Sequence, residues 1–339
     1  MEGYQILSVL EPPFVLTGIP HPKDNCGEYY RLDASKKSTY PPENDKMSHK
    51  ISGAAVRFRT DAEKILLQIH IRRPALGHKH VTPRGAYGVD VYVKSKSDWV
   101  YACRKGQILT DPEYIEDTVD LGVGMKDVLI ELPLYGGVSQ MDVGIPEGAV
   151  VEAPTPRKYG NIVFYGSSIT QGCAASRPGN AYTNLLCRML DADCRNLGFS
   201  SSACGEQVLA EYIAGLKQVS AFVMDYDHNN HYEGLKATHY DFYATVRKGL
   251  PDIPILMVTR PWFGAEKPVV EQQRQEVIRA SYERARAEGD ENVYFVCGDD
   301  FFPNEMRDLY SVDFNHPNDL GMYCMAQTIY PVLKAALEK

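Results

Sequence analysis

Two short stretches carry side chains able to do covalent chemistry together. Gly166-Ser167-Ser168-Ile169-Thr170-Gln171-Gly172 places serines directly after the apolar run Asn161-Ile162-Val163-Phe164-Tyr165. A serine at the end of a strand, with backbone N–H groups close by, has the setting of a nucleophile with a site for a developing oxyanion. Taken alone, the stretch is a weak signal and fits an ordinary strand-ending turn better, because Gly-Ser-rich turns are common. Near the other end of the chain, Asp313-Phe314-Asn315-His316-Pro317-Asn318 sets a carboxylate three residues before a histidine. A histidine oriented by a carboxylate is what a serine nucleophile needs as general base.

The elements that must position these groups differ between the two halves. Residues 54–58, 65–71, 88–93, 128–132 and 140–145 are short runs rich in β-branched and aromatic residues, separated by Gly, Pro, Asp or Asn. That rhythm predicts an all-β jelly-roll or sandwich domain over residues 1–153, with no amphipathic helix between Gly53 and Val151. Pro146, Pro154 and Pro156 then mark a linker or crossing strand. Beyond it, the apolar runs 161–165, 221–224, 255–258 and 293–296 alternate with helical patterns at 181–190, 207–216, 240–248, 269–287 and 320–337. Buried strands alternating with helices predict a parallel sheet covered on both faces, a three-layer α/β/α domain over residues 154–339. In such sheets the site lies beyond the carboxyl ends of the strands, where Ser168 falls.

With both ends of the chain in view, the sequence resembles the SGNH (GDSL-type) hydrolase superfamily. Four blocks follow in the family's order. GDSIT resembles Gly166-Ser167-Ser168-Ile169-Thr170, and NxGxxG resembles Asn196-Leu197-Gly198-Phe199-Ser200-Ser201. A third block ending in Asn resembles Val223-Met224-Asp225-Tyr226-Asp227-His228-Asn229, and DxxHP is met by Asp313, His316 and Pro317. The resemblance implies a serine esterase with Ser168 as nucleophile, His316 as base and Asp313 as its orienting carboxylate. It also implies an oxyanion hole from the Ser168 and Ser201 backbone N–H groups and the Asn229 amide, with Asn230 as the rival for Asn229. Two positions depart from the pattern: Ser167 stands for an Asp and Ser201 for a Gly. The second matters if the backbone there needs positive φ, and Gly198 or Ser202 would then be the alternative donor. Gly88-Val89-Asp90-Val91-Tyr92 further resembles the GxDLY motif of β-sandwich domains that precede SGNH domains in bacterial carbohydrate esterases. An O-acetylated sugar or oligosaccharide is the substrate this implies, with no cofactor. A short-chain lipid esterase and a non-catalytic carbohydrate-binding protein of the same shape are the alternatives.

Several further residues belong to the expected cleft. Arg260 and Trp262 follow a buried strand, offering hydrogen bonds and a stacking face to a sugar, or else a salt bridge and cover for the core edge. His228 and His231 flank the Asn pair and could line a pocket, while Asp225 and Asp227 could cap a helix. Cys173 and Cys204 read as small buried hydrophobes. The eight cysteines show no CxxC, and the pairs His78/His80 and His228/His231 lack metal-ligand spacing, so neither a metal nor a disulfide scaffold is expected. A net charge of −8 opposes nucleic-acid or anionic-membrane binding. No basic leader or apolar run of ~18 residues is present in the given chain, so a cytoplasmic protein with reduced thiols is expected. Self-association into a homo-oligomer stays open.

Overall fold

The computed structural model describes residues 3–72, 80–94, 96, 98–103 and 113–339, so His78 of the histidine pair lies outside them. Two compact units emerge. One gathers Met1–Ser35, Ser48–Arg157 and Ser176–Gly179; the other gathers Lys36–Met47, Lys158–Ala175 and Asn180–Lys339. The main change of unit falls beside the proline-rich segment, but helix α1 (Pro42–Ser48) lies almost wholly with the second unit.

The first unit holds strands β1 (Tyr4–Ser8), β2 (Val15–Thr17), β3 (Ala55–Thr60), β4 (Lys64–Arg72), β5 (Asp90–Lys94), β6 (Val100–Tyr101), β7 (Tyr114–Asp120), β8 (Lys126–Glu131), β9 (Gly137–Pro146) and β10 (Val151–Glu152). They form two antiparallel sheets, β1-β9-β4-β7 and β10-β3-β8-β5-β6, with β2 also on β3. The eight strands β1-β9-β4-β7 and β3-β8-β5-β6 form the double-sheet sandwich of a jelly roll. One expectation is corrected: helix α2 (Pro83–Tyr87) interrupts the β region. It is a five-residue turn set by Pro83 at its start and by Thr82, whose hydroxyl accepts the Gly85 N–H, and it is too short for helical periodicity to register.

Asp90, the acid of the Gly-Val-Asp-Val-Tyr stretch, is fully buried on β5. Its Oδ2 accepts Arg177 Nη1–H and the Gly179 N–H, both at 2.7 Å, and its Oδ1 accepts the Tyr101 hydroxyl at 3.1 Å. Arg177 also lies over the Tyr101 ring, 4.2 Å from its centroid. A Cβ on Gly179 would come within 2.1 Å of the Tyr92 hydroxyl, so only glycine lets the segment sit here. The motif therefore works as a buried anchor for Ser176–Gly179.

In the second unit, β11 (Asn161–Gly166), β12 (Asp193–Gly198), β13 (Val219–Asp225), β14 (Ile255–Val258) and β15 (Val293–Val296) form one parallel sheet, ordered β12-β11-β13-β14-β15. The helices are α3 (Ser168–Gln171), α4 (Tyr182–Leu190), α5 (Gln207–Ala214), α6 (Tyr232–Gly249), α7 (Val269–Ala287) and α8 (Asp319–Leu337). Helix α4 packs with α8, and α5, α6 and α7 pack in series, giving a helical layer on each face. The middle strands are buried on both faces; Phe164 meets Tyr182 edge-on at 5.9 Å and Tyr165 stacks on Phe242 at 4.4 Å. Strand β12 escapes the apolar-run criterion because, at the sheet edge, it tolerates Asp193 and Arg195. Helix α6 starts eight residues before the predicted span: Gly234 reads as a breaker, yet Leu235, His239, Phe242, Tyr243 and Val246 make one buried stripe. Among the described residues no helix is long and apolar enough to cross a membrane, and all eight cysteines are free thiols.

Replacing Arg177 with Met should strand the Asp90 carboxylate in the interior. Urea unfolding is expected to show a loss of about 3 kcal/mol, as for other buried pairs broken from one side. Adding Asp90→Asn should restore part of it; a wild-type unfolding curve for Arg177→Met would contradict the anchor.

Candidate active site

The second unit's strand order reverses direction at β11: the chain crosses to β12 on one side and to β13 on the other. The crevice beyond the carboxyl ends at such a switch point is where doubly wound sheets hold ligands. Three loops meet this requirement, following Gly166, Gly198 and Asp225, and they carry the first three sequence blocks.

Glycine is sterically required at two of these strand ends. A Cβ on Gly166 would lie 2.1 Å from Thr170 Oγ1 and 2.2 Å from the Asp225 carbonyl oxygen; one on Gly198 would lie 2.3 Å from the Gln171 nitrogen. The chain then turns at once into α3. Ser167 caps it, its hydroxyl accepting the Ile169 N–H at 3.2 Å, which gives the residue standing for the family Asp a structural task. Ser168 opens the helix, buried, with its Oγ 2.9 Å from His316 Nε2.

His316 is held from behind by its own loop. Its Nδ1 lies 2.8 Å from Asp313 Oδ2, and its backbone N–H donates to Asp313 Oδ1 at 2.7 Å. Ser311 Oγ donates to the His316 carbonyl at 3.0 Å, and Asn318 caps α8 through the Gly321 N–H. Burial pushes the Asp313 carboxyl up, but the hydrogen bonds from the His316 ring and backbone and from Asn315 outweigh it, leaving Asp313 below the usual carboxylate range. An ionised Asp313 is acceptor-only, so it accepts the hydrogen bond of Nδ1–H, keeps the ring proton on Nδ1 and leaves the Nε2 lone pair toward Ser168.

The second block lies alongside. Asn196 donates from its amide to the Thr170 carbonyl at 2.6 Å and to Thr183 Oγ1 at 3.1 Å, and accepts the Gly198 N–H at 2.8 Å. It fastens β12 to α3 and α4. Ser201 has φ of +60°, the left-handed region where a residue other than glycine carries strain of order 1 kcal/mol. The serine tolerates the conformation that the family glycine suits. No hydrogen bond within the described residues engages the Ser168 or Ser201 backbone N–H. In the third block, Asn230 is buried, its amide donating to the Cys204 carbonyl at 2.7 Å while its oxygen faces His231 Nδ1 at 3.0 Å. Asn229 is half-buried and donates to the Phe199 carbonyl at 3.0 Å, beside the second block.

The flanking candidates sort themselves by chemistry. Burial, followed by the positive charges of Arg260, His316 and Arg274, pushes His228 down to about 3 against an opposing hydrogen bond to the Asn315 side chain, so it faces the His316 loop neutral. Arg260 pairs with Glu271 at 3.2 Å, reaches Asn315 Oδ1 at 3.3 Å and sits 5.6 Å over the Trp262 ring. The salt-bridge reading of Arg260 is thus realised, and one face of Trp262 already holds a cation. His231 is exposed at the N-cap of α6. Neither aspartate caps a helix: Asp225 accepts the Tyr182 and Thr170 hydroxyls at 2.8 and 2.9 Å, and Asp227 accepts the Arg260 N–H at 3.0 Å. Burial, with Asp227 nearby, lifts Asp225 to about 7, and burial lifts Asp227 to about 6. Cys173 is fully buried, and burial pushes the Cys204 thiol up to about 11, so Cys204 is no activated thiolate. Tyr182, Thr170 and Gln171, which knit these loops together, carry no sequence signal beyond their nearness to Ser168.

Buried Ser168 and His316 and the more exposed Asp313 stand in hydrogen-bonded series at the switch point of a doubly wound sheet, the side-chain set of a serine hydrolase. Residues 159–334 match the GDSL-like lipase/acylhydrolase family, and residues 9–151 match a domain described as the N-terminus of Esterase_SGNH_hydro-type. The chain belongs to the GDSL-like lipase/acylhydrolase family, with a GxDLY-type N-terminal domain. Among solved structures, a protein from Bacteroides ovatus ATCC 8483 classed as a GDSL-like lipase is 26% identical, with 99% of this chain and 98% of that one covered and a TM-score of 0.84. A salicylyl-acyltransferase from a tetracycline biosynthetic pathway is 21% identical over 99% and 98% of the chains, with a TM-score of 0.80. A family two carbohydrate esterase from Clostridium thermocellum, solved with cellohexaose, is 15% identical over 85% and 93%, with a TM-score of 0.58. The last two likenesses establish shared fold. No curated protein sequence matches the chain.

His239 connects the third block to stability. It is buried on α6, stacked 5.4 Å from Tyr226, and neither ring nitrogen has a hydrogen-bond partner among the described residues. Burial pushes it down to about 3, against about 6.5 in an unfolded chain. Between these values the unfolded chain binds a proton that the folded one refuses, so this group's contribution is complete above pH 6.5 and is lost as pH falls. At pH 5 the loss relative to pH 8 is about 2 kcal/mol. His239→Phe should therefore gain that much more stability over wild type at pH 5 than at pH 8 in urea melts; an equal difference at both would refute it.

Proposed function

We propose that this protein is a serine esterase acting on O-acyl, chiefly O-acetyl, groups of a carbohydrate such as a xylo-oligosaccharide. The observation that carries the reading is the hydrogen-bonded series Ser168 Oγ, His316 ring and Asp313 carboxylate, 2.9 and 2.8 Å apart in turn. Ser168 attacks the ester carbonyl as Nε2 of His316 takes its proton, and Asp313 stabilises the imidazolium that results. The tetrahedral oxyanion is received by the Ser168 and Ser201 backbone N–H groups and the Asn229 amide. His316 protonates the departing sugar hydroxyl, then deprotonates the water that releases the acid from the acyl-enzyme. Asn229 is preferred to Asn230 as the side-chain donor because it is less buried and its amide lies against the second block, on the Phe199 carbonyl, whereas the Asn230 side chain is turned to Cys204 and His231. No cofactor enters these steps.

The carbohydrate part of the reading draws on the pairing of a GxDLY-type domain with a GDSL-type domain, and on the polar Arg260, His228 and Asn315 side chains around the His316 loop. A second reading, an ester with an apolar acyl chain, draws on Met306, Leu309, Val312 and Phe314, all exposed on the segment that leads into His316. Initial rates on p-nitrophenyl esters of increasing chain length and on acetylated xylo-oligosaccharides separate the two. Fastest turnover of acetyl esters, with acetate released from the oligosaccharide, is the expected result; a preference for long chains sinks the carbohydrate assignment.

Ser168→Ala should leave a folded protein with turnover below a few per cent of wild type. Asn229→Ala should lower kcat by about 10²–10³ with little change in KM, since the oxyanion exists only beyond the ground state. If Asn230→Ala gives that signature and Asn229→Ala does not, the donor assignment is wrong.

A further inference from the structure

The segment Lys36–Met47 lies far outside the residues that match the family, yet it clusters with the second unit. Tyr40 packs edge-on against Tyr212 of α5, with ring centroids 6.4 Å apart. Asn44, on α1, is 1% exposed, and its amide donates to the Ser202 carbonyl oxygen at 2.9 Å. On the other side of Ser201, the Ser200 backbone N–H and hydroxyl both donate to Gln171 Oε1, at 3.0 and 2.9 Å. Ser202 N–H closes the turn onto the Phe199 carbonyl at 3.0 Å. Ser201 itself is exposed, so side-chain burial does not hold it in its left-handed conformation. A strained backbone persists only where its surroundings over-determine it. Here the surroundings are Gln171, next to the nucleophile's turn, and Asn44, brought from the far end of the sequence.

We infer that Asn44 is a positioning residue for the oxyanion site, holding the 199–202 turn so that the Ser201 N–H keeps its station despite the strain of a non-glycine residue. The inference rests on the reading of Ser201 as an oxyanion donor. Its chemical content is specific: Asn44 matters because residue 201 is not glycine. With a glycine there, the turn needs no outside clamp.

The test is a double-mutant cycle between positions 44 and 201 in the full chain. Asn44→Ala, and the isosteric Asn44→Asp that removes the donor without opening a cavity, should each lower kcat about tenfold with KM within about twofold. Made in the Ser201→Gly background, the same changes should cost less than about twofold. Equal losses in both backgrounds, or unchanged kcat in both Asn44 variants, would overturn the proposal. Hydrogen exchange needs no substrate and keeps this test separate from the esterase reading. Amides 199–204 should exchange about tenfold faster in Asn44→Asp, and near the rate of their own background when Gly replaces Ser201. Should wild type show no turnover that depends on Ser168, the esterase reading fails while exchange still decides whether Asn44 clamps the turn.

Discussion

The close approach of α3 to the ends of β11 and β12 is the constraint on which the site depends. Gly166 and Gly198 leave no room for a methyl group against the α3 backbone and the Thr170 side chain. That absence of side chains lets the turn at Ser168 pack directly on two adjacent strand ends. It brings Asn196 within reach of the Thr170 carbonyl and Gln171 within reach of Ser200. The first two blocks are thereby fastened to one another through α3, and Ser168 starts a helix whose placement owes little to its own four residues.

Around that contact, buried polar groups do the ordering that a purely apolar core would leave loose. Asp225 ties β13 to Thr170 and Tyr182, and Asp227 ties the following loop to the Arg260 backbone. Glu206 accepts the Tyr165 hydroxyl and the Cys204 N–H, which supports the turn after Ser201. Such groups are costly to bury, and the cost appears as displaced titrations. Asp225 and Asp227 are pushed up, so their burial costs more stability as pH rises from about 4 through 6 and 7, while His228 and His239 are pushed down and cost more as pH falls below 6.5. The two sets oppose each other across the same window, from the end of β13, the loop that follows it and helix α6.

Much of the architecture was legible because it rests on periodicity. Strands β11, β13, β14 and β15 are apolar runs buried on both faces, and α7 and α8 carry long regular patterns. Among the elements that escaped are those whose burial is one-sided or borrowed: β7 and β12, which are edge strands with charged residues, the first two turns of α6, and the five residues of α2. A strand paired on one side and open on the other has no need of the apolar composition that marks a central one.

The sequence by itself determined the order of the four blocks, the place of Ser168 after a buried strand, and the local pair Asp313 and His316, because three residues of separation let a carboxylate reach a ring nitrogen. Only the tertiary structure decided that Ser167 is a helix cap, that Ser201 takes a left-handed backbone, that Asn230 donates to the Cys204 carbonyl while Asn229 donates to the Phe199 carbonyl, and that Asn44 reaches the Ser202 carbonyl. Each of these is a question of where a hydrogen-bond donor or acceptor finds its partner. A partner 158 residues away leaves no trace in local spacing. Side-chain period reports which face of an element is buried, whereas the pairing of individual polar atoms is settled when those faces have packed.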